Sequence, residues 1–348
     1  MKAPRLKQRL KRIPWPIVAR VLTGLMVAAV VVLLFNLART LDWSAVLEST
    51  REMGAPTLAI ALGLAMAGHL VYTSFDVLAR WYAGTPLSVW RVMGIAFLSY
   101  AMNLNLGVLV GGVAIRLRLY HRLGVPVATA GRVVAFSTLT NWIGYGWLAG
   151  VVFMVGVIPL PSGWDIGQTL LQLIGLLMFG GIAGYLGFCA FSQRRSWTMR
   201  HYHIELPPIK LALMQCVLAA ISWSLMAGIV YVLLGREIDY FAVLGILLFC
   251  SIAALIAHIP GGLGVTEAIF VGALSGTMPA HEVLAGVLMY RMIYCVIPLA
   301  VAVPAYLITE AYLRRVGDGI KLRGRAVCCT DQFSYRQALG VGRPDGED

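Results

Sequence analysis

Two glycine-rich interruptions lie inside sequence that is otherwise apolar over membrane-spanning lengths. One runs from Asn103 to Gly107 and on to Gly111 and Gly112; the other is His258-Ile-Pro-Gly-Gly-Leu-Gly264. Hydrocarbon offers no partner to a free amide or carbonyl, so backbone that leaves helical form at membrane depth survives only inside protein or beside water. Broken segments in corresponding places of two halves of a chain point to a binding site near the bilayer midplane. The interruptions therefore argue against a plain bundle of continuous spans.

The rest of the chain fits a membrane setting. Hydrophobic residues make up 59% and charged residues 13%, a composition far from that of a soluble globular domain. Apolar stretches of spanning length occur at about Ile17–Leu37, Pro56–Tyr82, Pro126–Val157, Thr169–Phe191, Leu211–Leu234 and Val283–Tyr312. The expected fold is an all-α polytopic membrane protein with six full spans. A formal charge of +12 alone would suggest nucleic acid, but the basic residues gather in loops and tails on alternate sides of the spans, which is the pattern of membrane orientation. Lys2, Arg5, Lys7, Arg9, Lys11 and Arg12 precede the first span, whereas Pro159–Gly167 contains Asp165 and no Lys or Arg. The N-terminus is thus placed in the cytoplasm. The first apolar run is too long for a signal peptide and lacks a small-residue cleavage site near Asn36–Arg39, so it reads as a retained helix.

The same charge bias tests whether the interrupted segments cross. If Leu87–Ala114 crossed once, Arg116, Arg118 and Arg122 would lie opposite the basic N-terminus; a segment that dips in and returns keeps them cytoplasmic. Arg194, Arg195, Arg200 and Lys210 mark a second cytoplasmic loop, and Arg314, Arg315, Lys321, Arg323 and Arg325 mark a cytoplasmic tail. Two full spans connect these, so Phe241–Gly276 must enter from outside and return outside, turning at Pro260-Gly261-Gly262. The expectation is two opposed re-entrant helical hairpins, at about residues 87–115 and 241–276, in an inverted repeat. Domain organisation follows: residues 1–16 form a basic cytoplasmic N-terminus, 17–313 a single transmembrane domain, and 314–348 a mobile cytoplasmic tail. Gly180-Gly-Ile-Ala-Gly184 supplies small residues for close helix packing.

Three acidic residues, Asp76, Glu267 and Glu310, fall inside the expected membrane segments, where each needs a partner or water. Asp76 stands four residues before Arg80, on one helix face. Glu267 follows Gly264 in the return arm of the second hairpin, and Arg291 in the last span is its expected partner, with Tyr290 and Tyr294 nearby. Glu310 lies close enough to the cytoplasmic end to be solvated. Arg116, Arg118 and Tyr120 alternate at a hairpin exit; guanidinium forks suit phosphate, so an anionic headgroup is a natural ligand, with ordinary positive-inside anchoring as the plainer explanation. Asn103, Asn105 and Asn141 are expected to satisfy broken backbone or line a polar path. Cys189, Cys216, Cys250 and Cys295 sit singly in apolar sequence, Cys328-Cys329 lie in the tail, and none has metal or disulfide spacing. His201-Tyr-His203 lacks the further ligands of a metal site and reads as a solvated loop. No metal and no cofactor are expected.

Several of these residues also carry a resemblance. Gly111-Gly112 with Arg116-Leu-Arg-Leu-Tyr120, Thr140-Asn-Trp-Ile-Gly-Tyr145, His258-Ile-Pro-Gly-Gly-Leu-Gly-Val-Thr-Glu267 and Tyr290-Arg-Met-Ile-Tyr294, in this order, closely resemble the lysylphosphatidylglycerol synthase transmembrane-domain family. The resemblance is particularly to its YbhN-type inner-membrane members and covers roughly Val18 to Leu313. In the full-length synthases the membrane part is associated with lipid translocation and a separate soluble domain transfers the aminoacyl group. Only a short tail follows Leu313, so the resemblance implies a lipid-handling membrane unit without the synthase activity. Glu267, Arg291, His258, Tyr294 and the turn Pro260, Gly261, Gly262 and Gly264 match its motifs.

The function expected is translocation or transport of phospholipid, preferentially anionic, through a polar cavity at the hairpins of a bacterial inner-membrane protein with both termini cytoplasmic. The absence of a P-loop makes transport passive, proton-coupled or partner-driven. Two other classes compete. A scaffold for a lipid-transfer partner would not need the ionised pair, and a lipid-modifying enzyme would need a nucleophile or metal motif that the sequence does not show: Gly272-Ala-Leu-Ser-Gly276 has its serine one place too late.

Overall fold

In the computed structural model, the described residues are 43–156, 167–194, 196–199, 202–257, 260–313 and 315. The expected first span at 17–37, all of the Pro159–Gly167 connection but Gly167 itself, His201, His258 and nearly all of the tail fall outside them. A short helix, α1 (Trp43–Glu52), precedes α2 (Ala55–Ala83) and α3 (Val89–Leu106); a π-helical run, Val108–Ala114, then leads into α4 (Ile115–Arg122). Next come α5 (Val127–Val155), α6 (Gln168–Phe191), strands β1 (Ser196–Met199) and β2 (Tyr202–Glu205), α7 (Ile209–Leu233) and α8 (Tyr240–Ala257). A single 3-10 turn, Pro260–Gly262, joins α9 (Val265–Leu274), and α10 (Ala280–Arg291) continues through a π-helical turn, Met292–Val296.

Five helical runs in the described residues are long and apolar enough to cross a bilayer: α2, α5, α6, α7 and the rod Ala280–Leu313. At 29 residues, α2 and α5 extend about 44 Å, more than a hydrocarbon core of about 30 Å requires. Backbone chemistry sets their limits. Pro56 sits in the first turn of α2, Pro126, Pro208 and Pro279 stand just before α5, α7 and α10, and Gly84 and Gly156 close α2 and α5 in the left-handed conformation. This is the proline-in, glycine-out asymmetry of helix ends.

The core lies where α2 packs on α7, with α5, α8 and α10 around them. Ala61, Ala65 and Phe75 of α2 meet Ala219, Ala227 and Ile229 of α7 in one buried cluster with Val243, Ile246 and Leu248 of α8. Small residues permit the closest approaches, though not the ones expected. A side chain on Gly144 would collide with Ala219, and one on Gly150 or Gly175 would come within 2.8 Å of backbone nitrogen on the facing helix. Gly180, Gly181 and Gly184 instead have open space where a Cβ would be. The helix-packing glycines are therefore those of the α5 contacts, because α6 turns most of its surface away from the rest of the protein.

A second correction concerns residues 196–199 and 202–205. They form an antiparallel ribbon with Trp197 opposite Ile204 and Thr198 opposite His203, where a solvated loop was expected around His203. Tryptophan, threonine, tyrosine and isoleucine favour extended backbone, which explains the pairing. Among the described residues, 300–313 separate as a unit of their own and are helical.

Candidate functional site

Both interruptions are helix, broken turn, second helix. At the first, α3 stops at Gly107, whose φ of 84° suits glycine. The π-helical run then folds against the end of α3 so closely that a Cβ on Gly111 would overlap the backbone of Met102 and Asn103. One on Gly112 would stand 3.2 Å from Asn103 Oδ1. Glycine is required here for approach. At the second, Gly261, Gly262 and Gly264 all have positive φ, and α9 packs back on α8.

The two turns meet. The 3-10 turn Pro260–Gly262 packs against α3, and a side chain on Gly261 would come within 2.8 Å of the Leu104 carbonyl oxygen. Asn105 ties the first break to the last long helix: its Nδ2 donates to the carbonyls of Ala101 (2.8 Å) and Cys295 (3.1 Å). That asparagine satisfies backbone, one of its two expected roles.

Arg291 holds the second turn. Its Nε and Nη2 bind both oxygens of Glu267, while Nη1 and Nη2 donate to the carbonyls of Gly261 and Gly262 at 2.7 Å each. Glu267 Oε2 also accepts from the Gly264 amide at 2.8 Å, capping α9. Glu267 is 3% exposed and Arg291 11%. The expected pair is therefore formed, and the guanidinium divides its donors between Glu267 and the turn. Such a fork is stiff as well as neutralising.

A second buried ion pair differs from expectation. Asp76 bonds not with Arg80, four residues along, but with the first hairpin exit: Arg116 Nη1 lies 3.2 Å from Oδ1, and the Tyr120 hydroxyl donates to Oδ2 at 3.0 Å. Arg116 also donates to Ser137 Oγ on α5 at 3.2 Å, and Arg80 Nε donates to the Leu87 carbonyl. Asp76, Tyr120 and Ser137 are fully buried and Arg116 is 2% exposed. Arg116 is consequently an internal counter-charge, while Arg118 is exposed. The cause is helical: on α4, residues 116 and 120 share a face and 118 lies opposite.

Between the pairs runs a line of aromatic side chains, of which sequence reasoning named Tyr290 and Tyr294 and missed the rest. Tyr72 lies within hydrogen-bonding reach of Arg116 and stacks on Tyr100, with centroids 3.4 Å apart. The hydroxyls of Tyr100 and Tyr294 are 3.0 Å apart, and Tyr294 stacks on Tyr290, next to Arg291 in the chain. His69 lies against Phe97, Tyr100 and Tyr294. Asn103 Oδ1 is buried without a hydrogen-bond partner. Asn141 is half-buried on α5, beside Thr140, whose hydroxyl accepts from the buried Gln215 (2.8 Å). Gln215 in turn accepts from Tyr185 (2.9 Å). No group of three or more His, Cys, Asp or Glu suited to a metal occurs among the described residues.

Comparison with known proteins adds a lineage to this geometry. The family profile of the lysylphosphatidylglycerol synthase TM region matches residues 21–302. Inner membrane protein YbhN of Escherichia coli (strain K12) is 41% identical over 303 residues, 87% of this chain and 95% of that protein. A Synechocystis sp. protein, slr0712, is 32% identical over 271 residues, 75% of this chain and 81% of its own. Both the paired breaks and the two buried ion pairs lie within the matched region.

Proposed function

The chain belongs to the family of the lysylphosphatidylglycerol synthase transmembrane region, and from that membership we propose that it translocates phospholipid across a bacterial inner membrane. It is an integral multi-pass membrane protein. In this reading the two broken turns are the tips of opposed re-entrant hairpins in an inverted repeat, with both termini cytoplasmic, and the headgroup passes beside them. Glu267 and Arg291 keep the second tip in shape; Asp76, Arg116 and Tyr120 do the same for the first. Arg118, exposed at the first hairpin exit, draws anionic headgroups to the inner leaflet.

The observation that supports this best is the meeting of the two turns at Gly261 and Leu104, flanked by two ion pairs in otherwise apolar helices. Intramembrane charges that expensive, set beside broken helices, are a transport-site pattern. The test is transbilayer movement of labelled anionic and zwitterionic phospholipids in liposomes containing the purified protein, wild type and Glu267→Gln. Movement above that of protein-free liposomes, and slower in the variant at equal reconstitution, is the expected result. Wild-type protein that leaves both lipids where they started would overturn the proposal.

A further inference from the structure

His69 is a buried histidine with half of its ring spoken for. It is 5% exposed, and Nδ1 lies 3.0 Å from the carbonyl oxygen of Ala65. A carbonyl only accepts, so Nδ1 carries the hydrogen, and the neutral ring must then bear its lone pair on Nε2. That atom is buried and has no hydrogen-bond partner. The other described buried side-chain atoms without a hydrogen-bond partner are different in kind. Arg116 Nε and Trp223 Nε1 are donors, Thr85 and Ser99 bear hydroxyls, Asn103 Oδ1 is an amide oxygen, and Asp76 Oδ1 faces Arg116. His69 Nε2 is the one nitrogen base in that set.

Burial works against a charge on this ring, and the aromatic side chains around it offset part of that cost. The ring centroids of Tyr294, Tyr100 and Phe97 lie 4.7, 5.3 and 5.8 Å from that of His69, and aromatic faces attract cations. Gly68 makes room for this, since a Cβ there would stand 3.2 Å from the Tyr294 ring. The titratable groups facing the ring are Tyr100 from α3 and Tyr294 from the last long helix, with Tyr72 and Asp76 farther along α2 itself. From α5 and α7, which also pack on α2, the buried titratable groups are Tyr145, whose hydroxyl is held by the Leu248 carbonyl, and Cys216. Asp76 and Glu267 each already face an arginine, whereas His69 Nε2 has no hydrogen-bond partner.

We propose that His69 is a proton-binding site whose occupancy is linked to lipid movement. A proton adds to the Nε2 lone pair, giving an imidazolium that keeps its Nδ1–H bond to Ala65; no other bond forms or breaks. The linkage rests on the translocation reading, whereas the protonation itself does not. Two measurements on the full chain separate them. The ring-nitrogen resonances of histidine-labelled protein in phosphatidylglycerol nanodiscs, with His69 assigned through His69→Gln, are followed from about pH 8 to 5, the range in which a histidine is expected to change charge. In liposomes, lipid movement is compared with and without a pH gradient. Loss of the neutral-ring signal of His69, together with gradient-dependent movement that becomes gradient-independent in His69→Gln, is expected. A ring that stays neutral throughout while the protein remains folded overturns the proposal whether or not lipid moves. A titrating ring with wild-type movement that ignores the gradient, or a variant that still follows it, overturns the linkage. A titrating ring with no lipid movement at all supports the proton site and refutes translocation.

Discussion

Removing Arg291 tests the second turn most severely. In Arg291→Met the Glu267 carboxylate stays 3% exposed with its cation gone, and a buried charge left in this way costs about 3–5 kcal/mol. The Gly261 and Gly262 carbonyls also lose donors at 2.7 Å, each worth about 1–3 kcal/mol where water cannot replace them. Arg291 is 11% exposed, so water reaches part of this site and the lower ends apply, giving a loss of about 5 kcal/mol. Glu267→Gln leaves Arg291 without a counter-charge, but that guanidinium keeps the Gly261 and Gly262 carbonyls and some exposure to water, so it costs less. Equilibrium unfolding in mixed micelles of both single variants and the double variant forms a cycle. The double variant should be less destabilised than the sum of the singles by about 2 kcal/mol, within the range for contacting pairs. Additivity to within about 0.5 kcal/mol would show that the two residues do not act as a unit.

The same measurement checks three further expectations. Asp76→Asn strands Arg116 without a counter-charge and should cost about 3–5 kcal/mol, several times the cost of Arg80→Gln; equal effects would return Asp76 to Arg80. Gly111→Ala, which drives a Cβ into the α3 backbone, should lose about 1–3 kcal/mol. Gly181→Ala meets open space and should gain up to about 1 kcal/mol of helix propensity; the reverse order would refute the assignment of the close approach. Tyr100→Phe and Tyr294→Phe delete one shared hydrogen bond, so each should cost about 1 kcal/mol and the double variant no more than the larger single. Two additive losses would mean the hydroxyls serve different partners.

The spans were legible because twenty or more apolar residues in a row leave few alternatives, and the breaks because glycine, asparagine and proline punctuate them. Glu267 and Arg291 were legible for an energetic reason: two unlike charges in adjoining apolar segments have few other partners. Asp76 was not, because a spacing of four to Arg80 offered a local answer while the true partner stands forty residues on, across a hairpin. The signal was present in Arg116, Leu119 and Tyr120, which form one helical face, but sequence reasoning groups Arg116 with Arg118 as a headgroup ligand at the hairpin exit. His69, Tyr72 and Tyr100 gave no warning at all. A histidine in an apolar run resembles any satisfied core residue until its neighbours are known.

The π-helical runs make these contacts adjustable by a single residue. One, Val108–Ala114, leads directly into Arg116; the other, Met292–Val296, follows Arg291 and contains Tyr294. A π turn winds in one residue more than the helix on either side. Passing that surplus residue along the axis turns every later side chain by about 100° and advances it by about 1.5 Å, with the flanking α-helical hydrogen bonds intact. At the last helix such a slip would swing Tyr294 off the Tyr100 hydroxyl while Arg291, upstream of it, stays clamped to the glycine turn. At the first it would carry Arg116 and Tyr120 together away from Asp76. The fold therefore holds two places where a rotation can break one link, the Arg116–Asp76 pair or the Tyr100–Tyr294 hydroxyl contact, without unwinding a span, and in both the rotation begins beside a broken turn.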